Sequence, residues 1–561
     1  MTQSVRAGAL LLLSLLARAE TLTLTVLATT DLHGNLYPID YVTDQPVPRG
    51  LAKLATLIRA AESENPDHLL IDCGDTIQGT PLESVYQTAI QKGARLGPDP
   101  MMRAMTLLGY DAMAVGNHEY NFGLKNLNAA RNAAGFPWLS ANTAVAPGSK
   151  ERPFAPYVVK TIGGVKVAVI GITTPAVPLW EKPENMGGYR FQPAVEAVRK
   201  AVAELRAHEH PDLVLVAAHA GLGRNLDTNA SEDPFENVVY DVATGVPDLN
   251  AIVFGHSHRE LPARSIGNVL VIQPKNWGIS LARLDFTFER AGAAWKLTSK
   301  KGALIPVKPD TPAAADILEL ARPYHEAAER YLNTAVATSA RALDAALGRV
   351  EDTAVVDAVQ QVQLFYSHAD VSFTALFNPS VRIPKGQVTV RQIAALYPYD
   401  NELYVVEGTG RMVKDALENA ARYYRSCAGA DCSKGPLINR EIMGFNYDMA
   451  GGVEYAVDLG RPEGDRIRDL RWHGQPLAMD AKLRIAINNY RAAGSAGYSM
   501  FSGAKVVWRS GDEIRDLMIR YYTERKSLPA VATDNWRVLP ELARRTLEKE
   551  AAQDAARQQL Q

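Results

Sequence analysis

Cysteine is scarce here: three residues in a chain of 561. Three thiols cannot build the disulfide framework of a small secreted scaffold. Long apolar runs are lacking too. Ala9 to Leu16 falls far short of the roughly 20 residues that a bilayer-spanning helix needs, and no later stretch reaches that length, so no membrane span is expected. Neither sign of charge dominates: 60 Lys and Arg stand against 62 Asp and Glu, a net charge of −2. That balance argues against an extended track for polymeric nucleic acid and leaves small nucleotides open. No internal repeat is evident, and the polar tail from about 540 carries no hydrophobic anchor.

What is present begins with a leader. Arg6 supplies a short positive region, Ala9 to Leu16 an apolar core, and Ala17-Arg18-Ala19 a small-x-small cleavage pattern. This predicts a signal peptide over 1–19 and a soluble mature protein, periplasmic or secreted. Losing Arg6 and Arg18 takes two positive charges from −2 and leaves −4. In an oxidising compartment Cys427-Ala-Gly-Ala-Asp-Cys432 predicts a small disulfide loop, while Cys73, between a strand and Gly74, reads as a small buried thiol.

The length calls for two large domains. Over 20–307, short apolar runs alternate with helical segments such as Gly50 to Glu64 and Ala194 to His208, the pattern of an α/β layered domain. Val269 to Ile272 and Leu281 to Phe288 are expected to close it. Pro306, Pro309 and Pro312 then break the pattern, and a linker helix over 308–344 is expected, kinked or split at Pro323. A second α/β domain of less regular order is placed over 345–535, followed by a polar tail, helical or frayed, over 536–561.

Five of the apolar runs end in residues that carry chemistry. Leu22 to Ala28 precedes Asp31-Leu-His33-Gly, and Leu69 to Ile71 precedes Gly74-Asp75. Ala112 to Val115 precedes Gly116-Asn117-His118-Glu119, Leu213 to Ala218 precedes His219-Ala-Gly, and Ala251 to Phe254 precedes Gly255-His256-Ser-His258. Runs so short and apolar suit strands covered on both faces, and in such sheets ligands bind beyond the carboxyl ends of the strands. A lone His at a strand end is an ordinary polar residue; five such stretches delivered to one edge are a metal site. Asp31, His33, Asp75, Asn117, His219, His256 and His258 make seven ligands, too many for one ion and about right for two that share a bridging carboxylate. Asp75, after Gly74, is the candidate bridge. Carboxylate, imidazole and amide oxygen together suit a borderline divalent ion such as Mn, Zn, Co or Fe; Mg is not excluded, and the identity stays open.

Asp-Leu-His-Gly-Asn, Gly-Asp-Thr-Ile-Gln-Gly, Gly-Asn-His-Glu, His-Ala-Gly and Gly-His-Ser-His resemble the motifs of the calcineurin-like metallophosphoesterases, in the order and spacing of the bacterial periplasmic 5′-nucleotidase family. The resemblance continues through Leu-Tyr-Pro-Tyr-Asp-Asn-Glu-Leu-Tyr-Val-Val-Glu and covers nearly all of the mature chain. Phe445-Asn-Tyr-Asp, Gly452-Val-Glu-Tyr and Asn489-Tyr-Arg-Ala are similar to its 2′,3′-cyclic-nucleotide 2′-phosphodiesterase/3′-nucleotidase branch.

The resemblance implies a four-layer α/β/β/α metal-binding domain joined by a helix to an α/β substrate-binding domain. It implies Asp31, His33, Asp75 and His258 on one ion, and Asp75, Asn117, His219 and His256 on the other. A hydroxide generated between the ions then attacks the phosphoryl group, and His118 stabilises the transition state and delivers a proton to the leaving oxygen. Phe445 and Tyr490 are expected to sandwich the base, with Arg491 a candidate for ribose or phosphate. One departure stands out: where 5′-nucleotidases of this family carry an Asp three residues after the catalytic His, this chain has Asn121, as in the cyclic phosphodiesterase branch.

The expectation is therefore a monomeric dimetal phosphohydrolase of small nucleotides, acting first on 2′,3′-cyclic nucleotides. A 5′-nucleotidase or nucleotide-sugar hydrolase is the alternative. A thiosulfohydrolase-like enzyme is more remote, as is a nucleotide-binding protein without turnover.

Overall fold

From the first strand, Leu24, Val26 and Ala28 point into one apolar core while Leu27 points the other way, and all four are buried. Burial on both faces is why the run reads as nearly continuous hydrophobic sequence. The computed structural model describes residues 20–558 apart from 95, 147–150, 233–234, 293, 400 and 430. The expected signal peptide over 1–19 lies outside the described residues. The chain divides into two compact units: one takes it up to Pro38 and from Val47 to Arg322, the other takes Ile39–Pro46 and everything from Pro323.

The first unit holds two six-stranded sheets built from β1 (Thr21–Thr29), β2 (His68–Asp72), β3 (Ala112–Ala114), β4 (Trp138–Leu139), β5 (Tyr157–Ile162), β6 (Val165–Thr173), β7 (Leu213–His219), β8 (Ala251–Phe254), β9 (Leu261–Ile266), β10 (Val269–Gln273), β11 (Ser280–Ala291) and β12 (Ala294–Pro306). One sheet runs β12-β11-β1-β2-β3-β4 and the other β9-β10-β8-β7-β6-β5. In the first, β1 to β4 are parallel, with Thr29 opposite Asp72 and Ile71 opposite Ala112. In the second, β6, β7, β8 and β10 are parallel, with Ala218 between Ile172 and Phe254. Side chains from both sheets share one core, among them Val26, Ile71 and Ala114 from the first and Val169, Leu215 and Val253 from the second. The outer face of the second sheet, through Val214, Val216 and Ile252, packs on Ala197, Val198, Ala201 and Leu205 of the helix Ala194–His208. The helix Leu51–Glu64 buries Leu51, Leu54 and Ile58 in the first unit. These are the four layers, α/β/β/α.

Most expected strands and helices are present. The strands Ala335–Ser339 and Leu343–Asp344, however, lie within the expected linker helix over 308–344, and the strand Trp536–Leu539 lies within the expected polar tail over 536–561. Further differences stand beside these. The strand β12 has no counterpart among the expected elements: its alternation puts Lys296, Lys300 and Lys301 among exposed or half-exposed positions of an edge strand, so no apolar run announces it. Pro323 does not split its helix, which runs from Ala315 to Leu332. The two units nonetheless part between Arg322 and Pro323, where the ring removes one backbone donor from the helix. Of the two forms expected for the tail, the helical one is present over Glu541–Gln558, and it is docked. Ala543 and Leu547 of the helix Glu541–Gln558 are fully buried, and the Glu550 carboxylate accepts from the backbone N–H groups of Leu437 and Ile438.

The second unit has a five-stranded sheet in the order Asp448–Gly451, Val371–Ala375, Lys482–Asn488, Glu402–Thr409, Val506–Glu513, and a four-stranded sheet that includes Glu454–Asp458 and Trp536–Leu539. Cys427 and Cys432 form a disulfide in this unit, with Cα atoms 5.2 Å apart, and Cys73 of the first unit is a buried free thiol.

Candidate metal centre

The five stretches come from neighbouring strands. Asp31 and His33 follow β1, Asp75 follows β2 and Asn117 follows β3 in one sheet; His219 ends β7, and His256 and His258 follow β8 in the other. At five of these seven positions the backbone is left-handed: φ is 49° at Asp31, 46° at His33, 59° at Asp75, 70° at His256 and 53° at His258. Each such residue departs sharply from the extended strand before it and costs of order 1 kcal/mol or more, a strain that concentrates where side chains must converge.

Two groups form. Asp31, His33 and His258 each bring a ligand atom within 4.8 Å of the others, and Asp75, His219 and His256 do the same. Asn117 joins the second group, its Oδ1 3.0 Å from His219 Nε2. Asp75 lies between them: its Oδ2 is 3.0 Å from His219 Nε2 and 3.7 Å from His33 Nε2. All seven expected ligands are thus gathered, and mixed carboxylate, imidazole and amide donors in two adjoining sets fit two divalent ions. Asp31, His33, Asp75 and His219 are almost wholly buried. Burial opposes charge on Asp75, yet His219, His118 and His33 hold its carboxyl well below the usual range. Burial likewise opposes charge on Asp31, but His258 and His219 bring it down to about 2. Burial, with His258 adding to it, pushes His33 down to about 4, which keeps the imidazole neutral, the form that binds a metal.

The surrounding shell contains three glutamates that the sequence did not single out. Glu119 is fully buried and accepts from the backbone N–H groups of Gly116, Asp75 and Thr76 at 2.6–2.9 Å, tying the β2 and β3 loops together. Its place beside His118 in Gly-Asn-His-Glu was the available signal. Glu236 lies 2.9 Å from His256 Nε2, and the Trp180 ring stands 5.5 Å from that imidazole. Glu181 lies 2.6 Å from Asn121 Nδ2. Glu181 and Glu236 sit in loops with no spacing that would reveal them.

His118 stands beside both groups. Its backbone N–H donates to Asp75 Oδ1 at 2.8 Å, and its ring centroid is 5.2 Å from that of His33. Its Nδ1 is 2.6 Å from Asn121 Oδ1.

In the second unit, Phe445 and Tyr490 are exposed aromatics, 37% and 57% accessible. Phe445 lies in the turn Gly444–Asn446 and Tyr490 in the short helix Asn489–Ala492. Arg491 differs from expectation. It is only 5% exposed, its guanidinium grips both oxygens of buried Asp448 at 2.7 and 2.9 Å, and it donates to the Phe445 carbonyl at 2.9 Å. It also stacks on the Tyr498 ring, whose hydroxyl donates to the Asn446 carbonyl. Its donors are engaged in holding the Phe445 turn, because the short helix leaves the side chain facing inward onto Asp448.

Known proteins match both units. Residues 24–260 fit the calcineurin-like phosphoesterase model, and 333–503 fit the 5′-nucleotidase C-terminal domain model. A 2′,3′-cyclic-nucleotide 2′-phosphodiesterase/3′-nucleotidase of Salmonella typhimurium is 29% identical over 96% of this chain and 92% of its own. A trifunctional nucleotide phosphoesterase protein, YfkN, of Bacillus subtilis is 28% identical over 92% of this chain, which spans only 39% of that larger protein's length. The crystal structure of the calcineurin-like phosphoesterase YfkN is 30% identical, with a TM-score of 0.51 over 56% of this chain and 99% of the solved one. A Staphylococcus aureus protein described as a putative 5′-nucleotidase matches with a TM-score of 0.69 at 26% identity, covering 92% of this chain and 99% of that one. Two domain models in sequence, a 30% identical phosphoesterase spanned almost entirely, and the same two-domain fold lead to one conclusion: this chain belongs to the 5′-nucleotidase family of calcineurin-like phosphoesterases, which are metal-dependent phosphoric ester hydrolases.

Proposed function

We propose that the protein hydrolyses 2′,3′-cyclic nucleotides to 3′-nucleotides, and these in turn to nucleosides and phosphate, in the periplasm or outside the cell. The observation that carries the reading is His118 set beside two adjoining ligand groups with an amide, Asn121, on its Nδ1. Asp31, His33, Asp75 and His258 would hold one divalent ion, and Asp75, Asn117, His219 and His256 a second. Such a pair, when bound, supplies a nucleophile at neutral pH and neutralises phosphoryl charge. The rest falls to the chain. His118 gives the proton on Nε2 to the ribose oxygen as its bond to phosphorus breaks, and keeps the proton on Nδ1 directed at Asn121 Oδ1. Opening a strained ring asks less of that acid than cleaving a monoester, so an uncharged partner for His118 suits the cyclic substrate. The likeness to the Salmonella cyclic-nucleotide enzyme over most of both chains supports the same choice.

Phe445 and Tyr490 are the groups for the base: exposed rings on a turn and a helix held by Asp448, Arg491 and Tyr498. Stacking of this kind contributes about 1–3 kcal/mol per base and tolerates any base. The Cys427–Cys432 disulfide fits an oxidising compartment, and among the described residues no helix is long and apolar enough to cross a membrane.

The test is a set of parallel rates on 2′,3′-cyclic AMP, 3′-AMP, 5′-AMP and UDP-glucose. The highest kcat/KM is expected on 2′,3′-cyclic AMP, with 3′-AMP also turned over. Preference for 5′-AMP or UDP-glucose would make the protein a 5′-nucleotidase or sugar-nucleotide hydrolase, and binding without turnover of any of the four would make it a binding protein.

A further inference from the structure

His118 is one end of a chain of hydrogen bonds whose other end is a carboxylate. His118 Nδ1 meets Asn121 Oδ1 at 2.6 Å, and Asn121 Nδ2 donates to Glu181 Oε2 at 2.6 Å. The other oxygen of Glu181 accepts from Asn185 Nδ2 at 2.7 Å and from the Lys182 backbone N–H at 2.8 Å. Asn185 Nδ2 also donates to the Asn121 carbonyl at 3.0 Å, so the loop that carries Glu181 is clasped to the loop that carries Asn121. All three groups on Glu181 are donors, as an ionised carboxylate requires. Its position at the end of the short helix Val177–Trp180 comes directly after Trp180, the ring beside His256.

The direction of every bond follows from that carboxylate. A carboxylate only accepts, so Asn121 must turn its NH₂ toward Glu181 and its carbonyl oxygen toward His118. A carbonyl oxygen only accepts, so His118 keeps a proton on Nδ1 whether neutral or doubly protonated, and presents to the substrate Nε2, the nitrogen that gains and gives the transferred proton. An Asn without Glu181 could equally turn its NH₂ to the imidazole and hold it in the opposite tautomer, with Nδ1 bare.

We propose that Glu181 is a positioning residue of the reaction: through Asn121 it fixes the orientation and tautomer of His118, and it carries one residue further out the negative charge that an aspartate at 121 would have placed directly on the imidazole. The proposal rests on the reading of His118 as the proton donor. It also accounts for the residue at 121, since an aspartate there would set two carboxylates at hydrogen-bond distance with no proton between them.

Exchanging the two groups tests this polarity. In Glu181→Gln the amide has one acceptor and one donor end. If its oxygen faces Asn121, its NH₂ collides with the donors of Asn185 and Lys182; if it turns, Asn121 must turn too and misorients His118. In Asn121→Asp the new carboxylate faces Glu181. The double variant satisfies every bond again: the introduced glutamine would donate to the introduced aspartate, accept from Asn185 and Lys182, and leave an aspartate oxygen for His118. Each single variant is expected to lower kcat on 2′,3′-cyclic AMP by about 10- to 100-fold, the usual scale for losing a group that orients a working one. KM and metal content should change little, and the double variant should recover most of the loss. On bis-p-nitrophenyl phosphate, whose leaving phenolate needs little acid assistance, the single variants should fall less than about threefold.

His118→Ala is measured alongside. If it turns over 2′,3′-cyclic AMP as fast as the parent protein, the reading of His118 fails and the proposal falls with it. If His118→Ala is slow but the double variant is no faster than the slower single, His118 stands and the role given to Glu181 is overturned. That role is equally overturned if the single variants lose metal, or lose the nitrophenyl ester and the nucleotide equally, because that is the signature of a merely structural loop contact.

Discussion

At the scale of single residues, the residues proposed as ligands stood out because their chemistry is rare at the positions they occupy, and the structure brings them together. An Asp or His directly after a buried strand has no solvent-facing reason to be there, and six such residues, with Asn117, across five strands leave few alternatives. Of the glutamates around them, Glu119 had a signal in Gly-Asn-His-Glu, but Glu181 and Glu236 were not legible. Glu119 ties loops through backbone donors, while Glu181 and Glu236 reach their partners from distant loops; a sequence does not record which way such a loop folds back. Arg491 shows the opposite hazard. An arginine after an exposed tyrosine suggests a ligand contact, and only the fold places Asp448 beneath it. Two substitutions separate the neighbours. Tyr490→Ala should raise KM for nucleotides about 5- to 100-fold, the loss of one stacked base, and leave bis-p-nitrophenyl phosphate unaffected, since stacking is felt equally in ground and transition states. An equal loss on both substrates would place the ring in structure instead. Arg491→Ala should act on stability. It strands the Asp448 carboxylate, 2% exposed, without its partner, and losing one side of a buried pair costs about 3–5 kcal/mol. Urea unfolding should show that drop; an unchanged midpoint together with a raised KM would return Arg491 to the substrate.

At the scale of elements, strands buried on both faces declare themselves, whereas an edge strand such as β12 and a docked tail helix do not, because a half-exposed element mixes polar and apolar residues at its boundary. Least visible of all was the left-handed backbone that turns the ligand loops inward. Gly74 is one point where it runs tight against other backbone. At φ 94° it passes so close to the β3 loop that an added Cβ would lie 2.7 Å from the Gly116 nitrogen and 2.9 Å from the Ala114 oxygen, both backbone atoms that cannot swing aside. Gly74→Ala is therefore expected to displace the loop bearing Asp75, the residue between the two ligand groups. Bound metal should fall below the parent's content and thermal stability should drop, by at least the roughly 1–3 kcal/mol typical of a disallowed backbone. Retention of full metal content and melting temperature would show that the loop has more slack than these distances allow.

At the scale of the whole molecule, two domains and their order were readable from length, from the proline cluster after the first domain and from the change in strand pattern. One long-range feature was not. The segment Ile39–Pro46 groups with the second unit, where the Tyr41 hydroxyl meets His325 Nδ1 at 3.0 Å and Arg391 reaches both the Tyr41 carbonyl and Asp44. Eight residues of unremarkable sequence give no local sign of such a return. The central claim spans the first unit as a whole: seven residues from two sheets form one site for two divalent ions, and phosphoryl transfer depends on both. Titrating metal-free protein with manganese, while following bound ion and hydrolysis of 2′,3′-cyclic AMP together, tests this most directly. Binding is expected to saturate at two ions per chain, with turnover appearing as the second ion enters and abolished in Asp75→Asn. Full turnover in the metal-free protein, or saturation of both binding and turnover at one ion, would contradict the claim.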